Sequence, residues 1–194
     1  MAPLNRHAWL ASQNANKLNE LRAALPGWKL DALAAVDWPE ETGHTYEENA
    51  RLKARFGLAL AGAGEWGLGE DSGIECDALG GFPGLRSARW TSRGDQADAL
   101  IERLDGVENR GARMVAELVA LTPEGVELRG SGVLEGSIAA ERRGTGGFGY
   151  DPIFVPAGES RTVAELGDAW KRGHSHRGLA AEALDAAVAG YEEA

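Results

Sequence analysis

Cysteine, methionine and positive charge are all scarce in this chain of 194 residues. Its single cysteine, Cys76, excludes an internal disulfide and agrees with a reducing compartment. Lys and Arg number 20 against 30 Asp and Glu, a formal net charge of −10 at pH 7. That deficit argues against a nucleic-acid partner, because backbone phosphates call for a basic surface. No apolar run approaches the ~20 residues that span a bilayer, so no membrane partner is expected. The opening stretch MAPLNRHAWLAS lacks the basic start and apolar run of a signal peptide. A soluble, cytoplasmic protein is therefore expected. Repeats, low-complexity tracts and long linkers are absent, as is the GxxxxGK[ST] pattern of a Walker loop.

What is present suits a core. The hydrophobic fraction is 43%, ordinary for a globular protein, and the length fits one domain of one or two closely joined lobes. His7 to Ser12 reads as a short strand, and about Asn16 to Leu25 as a helix ending before Pro26-Gly27. Thr45 and Glu48 have the spacing of a capping box, with Thr45 as cap, opening a helix that runs to about Ala61. Gly67 to Glu70 and Ile74 to Ala78 read as two short strands, and Asp95 to Leu104 as a helix. Arg113 to Leu121 and Val126 to Ala139 read as antiparallel strands joined near Pro123-Glu124-Gly125. Ile153 to Val155 is a short strand and Ser175 to Tyr191 a final helix. Mixed helices and strands predict an α/β fold with a mixed sheet.

Five segments carry candidate chemistry. Ser12-Gln13-Asn14-Ala15-Asn16-Lys17 joins the first strand to the first helix. Such a turn is either an Asn-rich cap or a phosphate site, where unpaired N–H groups and the helix dipole favour an anion. Glu40-Glu41-Thr42-Gly43 precedes the second helix; its carboxylates are either solvated or bind a metal. Within that helix Asn49 and Lys53 are one turn apart and share a face. Gly69-Glu70-Asp71-Ser72-Gly73 is either a β-turn or a carboxylate pair at a strand end. Magnesium favours such oxygen ligands. Neighbours on an extended strand point opposite ways, so Glu70 and Asp71 are expected to have separate roles. Gly80 to Trp90 and Gly144 to Pro152 are glycine-dense, and in the latter Phe148 or Tyr150 is placed to stack on a base. Lys171 precedes His174-Ser175-His176-Arg177, with Ser175 a plausible cap for the last helix.

In this order and spacing, LASQNANKLNEL, EETGHTYEENARLKAR, GEDSGIECDALGGFPGLRSARW, GTGGFGYDPIFVP and AELGDAWKRGHSHRG resemble the inosine triphosphate pyrophosphatase family, the non-standard purine nucleoside triphosphate pyrophosphatases. The resemblance spans nearly the whole chain. It implies an elongated α/β fold, a mixed sheet flanked by helices in two lobes with a central active-site cleft, and residues 1–194 as one domain. It implies Mg²⁺-dependent hydrolysis of ITP, dITP and XTP to the monophosphate and pyrophosphate, by a homodimer. Ser12, Gln13, Asn14, Ala15, Asn16 and Lys17 look like its triphosphate-binding turn. Glu40 and Asp71 look like its metal ligands, Asp71 also its general base, and Lys53 its active-site cation. Ser72 looks like a substrate contact. Phe148, Gly149, Tyr150 and Asp151 look like the base- and sugar-side loop, and Lys171, His176 and Arg177 the specificity residues. The chain departs from the family pattern at Gln13, usually Gly, at Glu70, often Asp, at Trp90, commonly Tyr, and at Trp170, usually Glu. The rival readings are a hydrolase of standard or pyrimidine triphosphates, a nucleotide-binding regulator without catalysis and, distantly, a nucleic-acid-binding module.

Overall fold

The computed structural model describes residues 6–34, 37–92 and 95–194. Six strands form one sheet in the order β2-β1-β3-β4-β5-β6. They are β1 (Arg6–Leu10), β2 (Trp28–Ala32), β3 (Trp66–Cys76), β4 (Gly111–Leu121), β5 (Glu127–Ile138) and β6 (Phe154–Pro156). The helices are α1 (Ala15–Ala24), α2 (Tyr46–Leu60), α3 (Gln96–Arg103), α4 (Val163–Leu166), α5 (Asp168–His174) and α6 (His176–Glu192). β1 runs parallel to both β2 and β3, whereas β5 and β6 are antiparallel, so the sheet is mixed. Parallel neighbours need a crossover, and α1 supplies it between β1 and β2. Among the described residues no helix is long and apolar enough to cross a membrane.

The chain divides into two compact units, each with its own core. Unit 1 comprises Met1–Asp71, Ala116–Gly132 and Arg177–Ala194; unit 2 comprises Ser72–Val115 and Val133–His176. In unit 1, Leu10, Leu21, Leu25, Leu68, Leu118 and Leu184 are buried together. In unit 2, Ile74, Leu100, Leu104, Ile138, Ile153 and Phe154 do the same. Burying such a side chain stabilises by ~1.5–3 kcal/mol.

Several elements differ from the sequence expectation. The Gly69–Gly73 segment is no turn: β3 runs unbroken from Trp66 to Cys76. The turn-forming residues are overridden by packing, because α2 lies directly on this strand. A Cβ on Gly69 would sit 1.9 Å from the Ala50 carbonyl oxygen, and one on Gly67 would sit 2.3 Å from that of Ala54. Both glycines face α2, whose inner stripe of Ala50, Ala54 and Gly57 is equally small. α6 meets β5 in the same way, over Gly130, where a Cβ would lie 2.1 Å from the Ala180 carbonyl oxygen.

Capping also differs in detail. Thr45 accepts from the Glu48 N–H at 3.1 Å as expected, but the Glu48 carboxylate takes the His44 N–H at 2.6 Å rather than that of Thr45. A complete capping box stands instead at Thr162 and Glu165, opening α4. The sequence reading assigned nothing to β2, α4 or α5, whose short lengths give little periodicity to detect.

Replacing Gly69 by Ala is expected to destabilise unit 1 by ~1–3 kcal/mol or more, since the added methyl meets backbone and no side chain can yield. Urea unfolding checks this, and an unchanged midpoint would contradict the close contact.

Candidate active site

The buried chemistry of unit 1 begins at the β1–α1 turn. Asn14 caps α1: its side chain accepts from the N–H groups of Asn16 and Lys17, while its own N–H donates to the Ser12 hydroxyl at 3.2 Å. Gln13, where the resembled family has Gly, needs no glycine, since no non-glycine residue among those described has a positive φ. The turn therefore projects Lys17 and, one helical turn on, Glu20 from the same face of α1.

That face meets Glu70. Its carboxylate is fully buried and pairs with Lys17 Nζ at 2.7 Å and Arg177 Nε at 2.9 Å. Arg177, at the start of α6 and likewise buried, also donates from Nη1 to Glu20 at 2.7 Å. Lys17, Glu70, Arg177 and Glu20 thus alternate in sign along a linked series. Burial by itself would raise the Glu70 carboxyl, but Lys17, Arg177 and Lys53 outweigh it and hold it well below the usual carboxylate range. Arg177 is pulled the other way: burial lowers it, and Glu70 and Glu20 more than compensate, so it stays charged.

Asp71 follows directly and has a different environment, as alternation on a strand requires. Lys53 Nζ donates to its Oδ1 at 2.9 Å and to the backbone carbonyl of Glu70 at 3.1 Å. Asn49 Nδ2 donates to its Oδ2 at 3.1 Å. The Asp71 carboxyl is nonetheless pushed up, first by burial, which Lys53 only partly offsets, with Glu70 and Glu41 adding to the rise. Lys53 is shifted up as well: burial opposes its charge, and Asp71 and Glu70 prevail. Glu41 reaches the same ammonium, Oε1 to Nζ at 2.5 Å. One lysine therefore gathers carboxylates from the loop before α2 and from β3.

Glu40 is exposed and, among the described residues, makes no ion pair; its neighbour Glu41 takes Lys53. The sequence reading named Glu41 and Glu70 as candidate carboxylates within their segments without giving either a specific role, and it did not single out Glu20. The spacing of Lys17 and Glu20 along one helix face was the available signal. For Glu41 there was none, since a loop pattern does not say which of two adjacent glutamates turns inward.

Unit 2 holds a second constellation. Asp151 is buried, and its Oδ2 accepts from the Phe148 N–H at 2.8 Å and from Lys171 Nζ at 2.7 Å. That ammonium lies 4.9 Å over the Phe148 ring. Gly147 is obligatory here: its φ is 71°, and a Cβ would fall 2.1 Å from Asp151 Oδ2. The Tyr150 hydroxyl donates to the Ser87 carbonyl at 2.7 Å and accepts from Trp90 Nε1 at 2.8 Å, so it braces the loop, and burial pushes its pKa up. Gly149 is exposed, Ser72 half-buried and His176 buried.

Glu40 and Asp71 offer only oxygen donors, the kind a hard cation takes. Four carboxylates, Glu20, Glu41, Glu70 and Asp71, face three cations, Lys17, Lys53 and Arg177, which leaves one negative charge in excess. Burial is the main cause of the raised Asp71 carboxyl, and the neighbouring Glu70 and Glu41 charges add to it. Among the described residues no three His, Cys, Asp or Glu side chains form a ready cage. Mg²⁺ does not require one, because it is usually held by one or two carboxylates together with waters and substrate phosphates.

The fold is thus a mixed α/β sheet that carries buried, lysine-paired carboxylates in the middle of a strand. Residues 8–187 match the model of the Ham1 family, and the chain belongs to that family. It is 44% identical over 187 residues to a dITP/XTP pyrophosphatase of Deinococcus deserti, covering 94% of this chain and 89% of that protein. It is 48% identical over 178 residues to one of Symbiobacterium thermophilum, covering 88% and 89%. Its fold is similar to that of the Staphylococcus aureus Ham1 protein, with TM-score 0.81 and 32% identity over 96% of this chain and 100% of that one. It is also similar to a Mycobacterium abscessus nucleoside-triphosphatase / dITP/XTP pyrophosphatase, with TM-score 0.71 and 41% identity over 92% and 98%.

Glu70→Gln would leave Lys17 and Arg177 without their shared counter-charge, an expected loss of ~3–5 kcal/mol by denaturant unfolding. Because the Glu70 carboxyl is held below its ordinary value of 4.5, the wild-type advantage is complete above pH 4.5 and declines as pH falls below it. An advantage that grew on acidification would refute the charge assignment.

Proposed function

We propose that this chain is a Mg²⁺-dependent nucleoside triphosphate pyrophosphatase that hydrolyses ITP, dITP and XTP to the monophosphate and pyrophosphate, removing them before nucleic acids incorporate them. The observation that carries the reading is the buried Asp71, raised in pKa and paired with Lys53, in a chain 42–48% identical to proteins named dITP/XTP pyrophosphatase.

The roles follow from charge. A triphosphate is strongly anionic, and a chain of net charge −10 holds one only where cations are concentrated. The Ser12–Lys17 turn binds the triphosphate, with Lys17 and Lys53 neutralising its oxygens. Asp71 and the exposed Glu40 would hold the metal ion, while Glu41 keeps the loop on Lys53. When bound, the ion supplies charge neutralisation and Lewis-acid polarisation of the phosphates. Asp71 takes a proton from the water that attacks the α-phosphorus, and pyrophosphate leaves. A raised pKa suits a base, because it increases proton affinity. Ser72 contacts the substrate. Phe148, Gly149, Tyr150 and Asp151 serve the base and sugar. Lys171, His176 and Arg177 set specificity, since hypoxanthine and xanthine carry a 6-oxo acceptor that suits cationic donors. The 6-amino group of adenine sets donor against donor, a polar mismatch that discriminates strongly. A homodimer is proposed on the family resemblance alone.

Asp71→Asn is expected to lower turnover by ~10²–10⁴-fold while nucleotide still binds, measured by pyrophosphate release. Near-normal turnover removes Asp71 from the reaction. In a panel of ITP, XTP, dITP, GTP and ATP with and without Mg²⁺, kcat/KM is expected to favour ITP clearly over ATP and to vanish without metal. Equal values for ITP and ATP would defeat the specificity argument.

A further inference from the structure

Asn49 is among the most buried polar residues of unit 1, only 1% exposed, and its amide is occupied at both ends. Its Oδ1 accepts from the Gly43 N–H at 2.8 Å, and its Nδ2 donates to Asp71 Oδ2 at 3.1 Å. The orientation of the amide is forced. A backbone N–H only donates, so the oxygen must face Gly43, which leaves the NH₂ group for the carboxylate. One turn further along α2, Lys53 holds the other carboxylate oxygen, Oδ1. Both oxygens of Asp71 are thereby fixed from one helix, whose backbone is locked on β3 through Gly67 and Gly69.

Gly43 carries a second, independent sign of this arrangement. A Cβ there would meet Asn49 Oδ1 at 2.6 Å and the Asn49 nitrogen at 2.9 Å. The loop that bears Glu40 and Glu41 thus lies against the helix so closely that no side chain fits between. Asn49 thus touches both this loop and Asp71 by hydrogen bonds, beside Lys53, which reaches Glu41 and Asp71.

We propose that Asn49 is a positioning residue, a two-ended strut that sets the Glu40–Gly43 loop and the Asp71 carboxylate in fixed register with each other. It is buried away from solvent. It acts by holding the rotamer of Asp71 and the approach of the loop, so that the carboxylates from the two segments present their oxygens together. The role rests on the reading of Asp71 as the reacting carboxylate. Mutating such outer partners of a metal-binding carboxylate typically costs ~10–100-fold in metal affinity or activity.

The test compares Asn49→Leu, which removes both bonds at similar volume, with Gly43→Ala, which strikes the loop end of the strut alone. Three quantities are read on the full chain: kcat and KM for ITP, binding of Mn²⁺ without nucleotide by electron paramagnetic resonance, and near-ultraviolet circular dichroism. Asn49→Leu is expected to lower kcat per folded molecule by ~10–100-fold with KM little changed, and to weaken Mn²⁺ binding. Gly43→Ala should weaken Mn²⁺ binding in the same direction. If Asn49→Leu does not fold, Asn49→Ser, too short to reach either partner, replaces it. Wild-type kcat and Mn²⁺ affinity in a folded Asn49 variant overturn the proposal, as does a loss fully accounted for by a smaller amount of folded protein. Asp71→Asn runs alongside. If it too turns over normally, the reading of Asp71 fails; if it is inactive while the Asn49 variant is normal, only the strut fails.

Discussion

Two adjacent carboxylates, Glu70 and Asp71, are buried in the interior of a β-strand, and the rest of unit 1 is organised around making that tolerable. A buried charge is costly unless it is paired and hydrogen-bonded. Pleating sends the two side chains to different neighbours, and the neighbours differ in strength. Lys17 and Arg177 overcompensate Glu70, which stays ionised as a fixed structural charge. Lys53 undercompensates Asp71, which retains a raised proton affinity. The same strand thus carries a permanently ionised group beside one poised to accept a proton. Environment rather than residue type separates them.

Precision in this cluster comes from backbone contact. Three helices bring the partners of these carboxylates: α1 brings Lys17, α2 brings Asn49 and Lys53, and α6 brings Arg177, which Glu20 of α1 also pairs. α2 touches β3 through glycines, so its distance is set by peptide groups with no rotamers to adjust. α6 does likewise on Gly130 of β5. Groups mounted on helices fixed in this way are held more closely than groups on loops. In unit 2 the loop carrying Phe148 and Tyr150 obtains its rigidity differently. A buried Asp151–Lys171 pair and the doubly bonded Tyr150 hydroxyl hold it from within.

The charge balance connects these details to the proposed chemistry. An acidic chain of net charge −10 sets Lys17, Lys53 and Arg177 against Glu20, Glu41, Glu70 and Asp71 around β3, which leaves these side chains together one charge negative. A ligand that arrives with a divalent cation suits such a site better than a bare anion does. The family to which the chain belongs includes relatives named for hydrolysis of dITP and XTP, substrates of that kind.

By itself the sequence determined the α/β class, most element positions within a few residues, and several segments whose charged side chains meet in unit 1. Periodicity, helix caps and glycine-rich turns are local properties, and they survive without a partner. Glu70 and Asp71 were legible as separate actors because strand alternation is also local. Tertiary structure alone decided that Gly69 to Gly73 continues a strand, since only the approach of α2 favours glycine there over a turn. It alone decided that Glu41 rather than Glu40 meets Lys53, and that Glu20 and Glu70 enclose Arg177. These are contacts between residues far apart in the chain, and the field that lowers one carboxyl and raises its neighbour exists only once those residues meet.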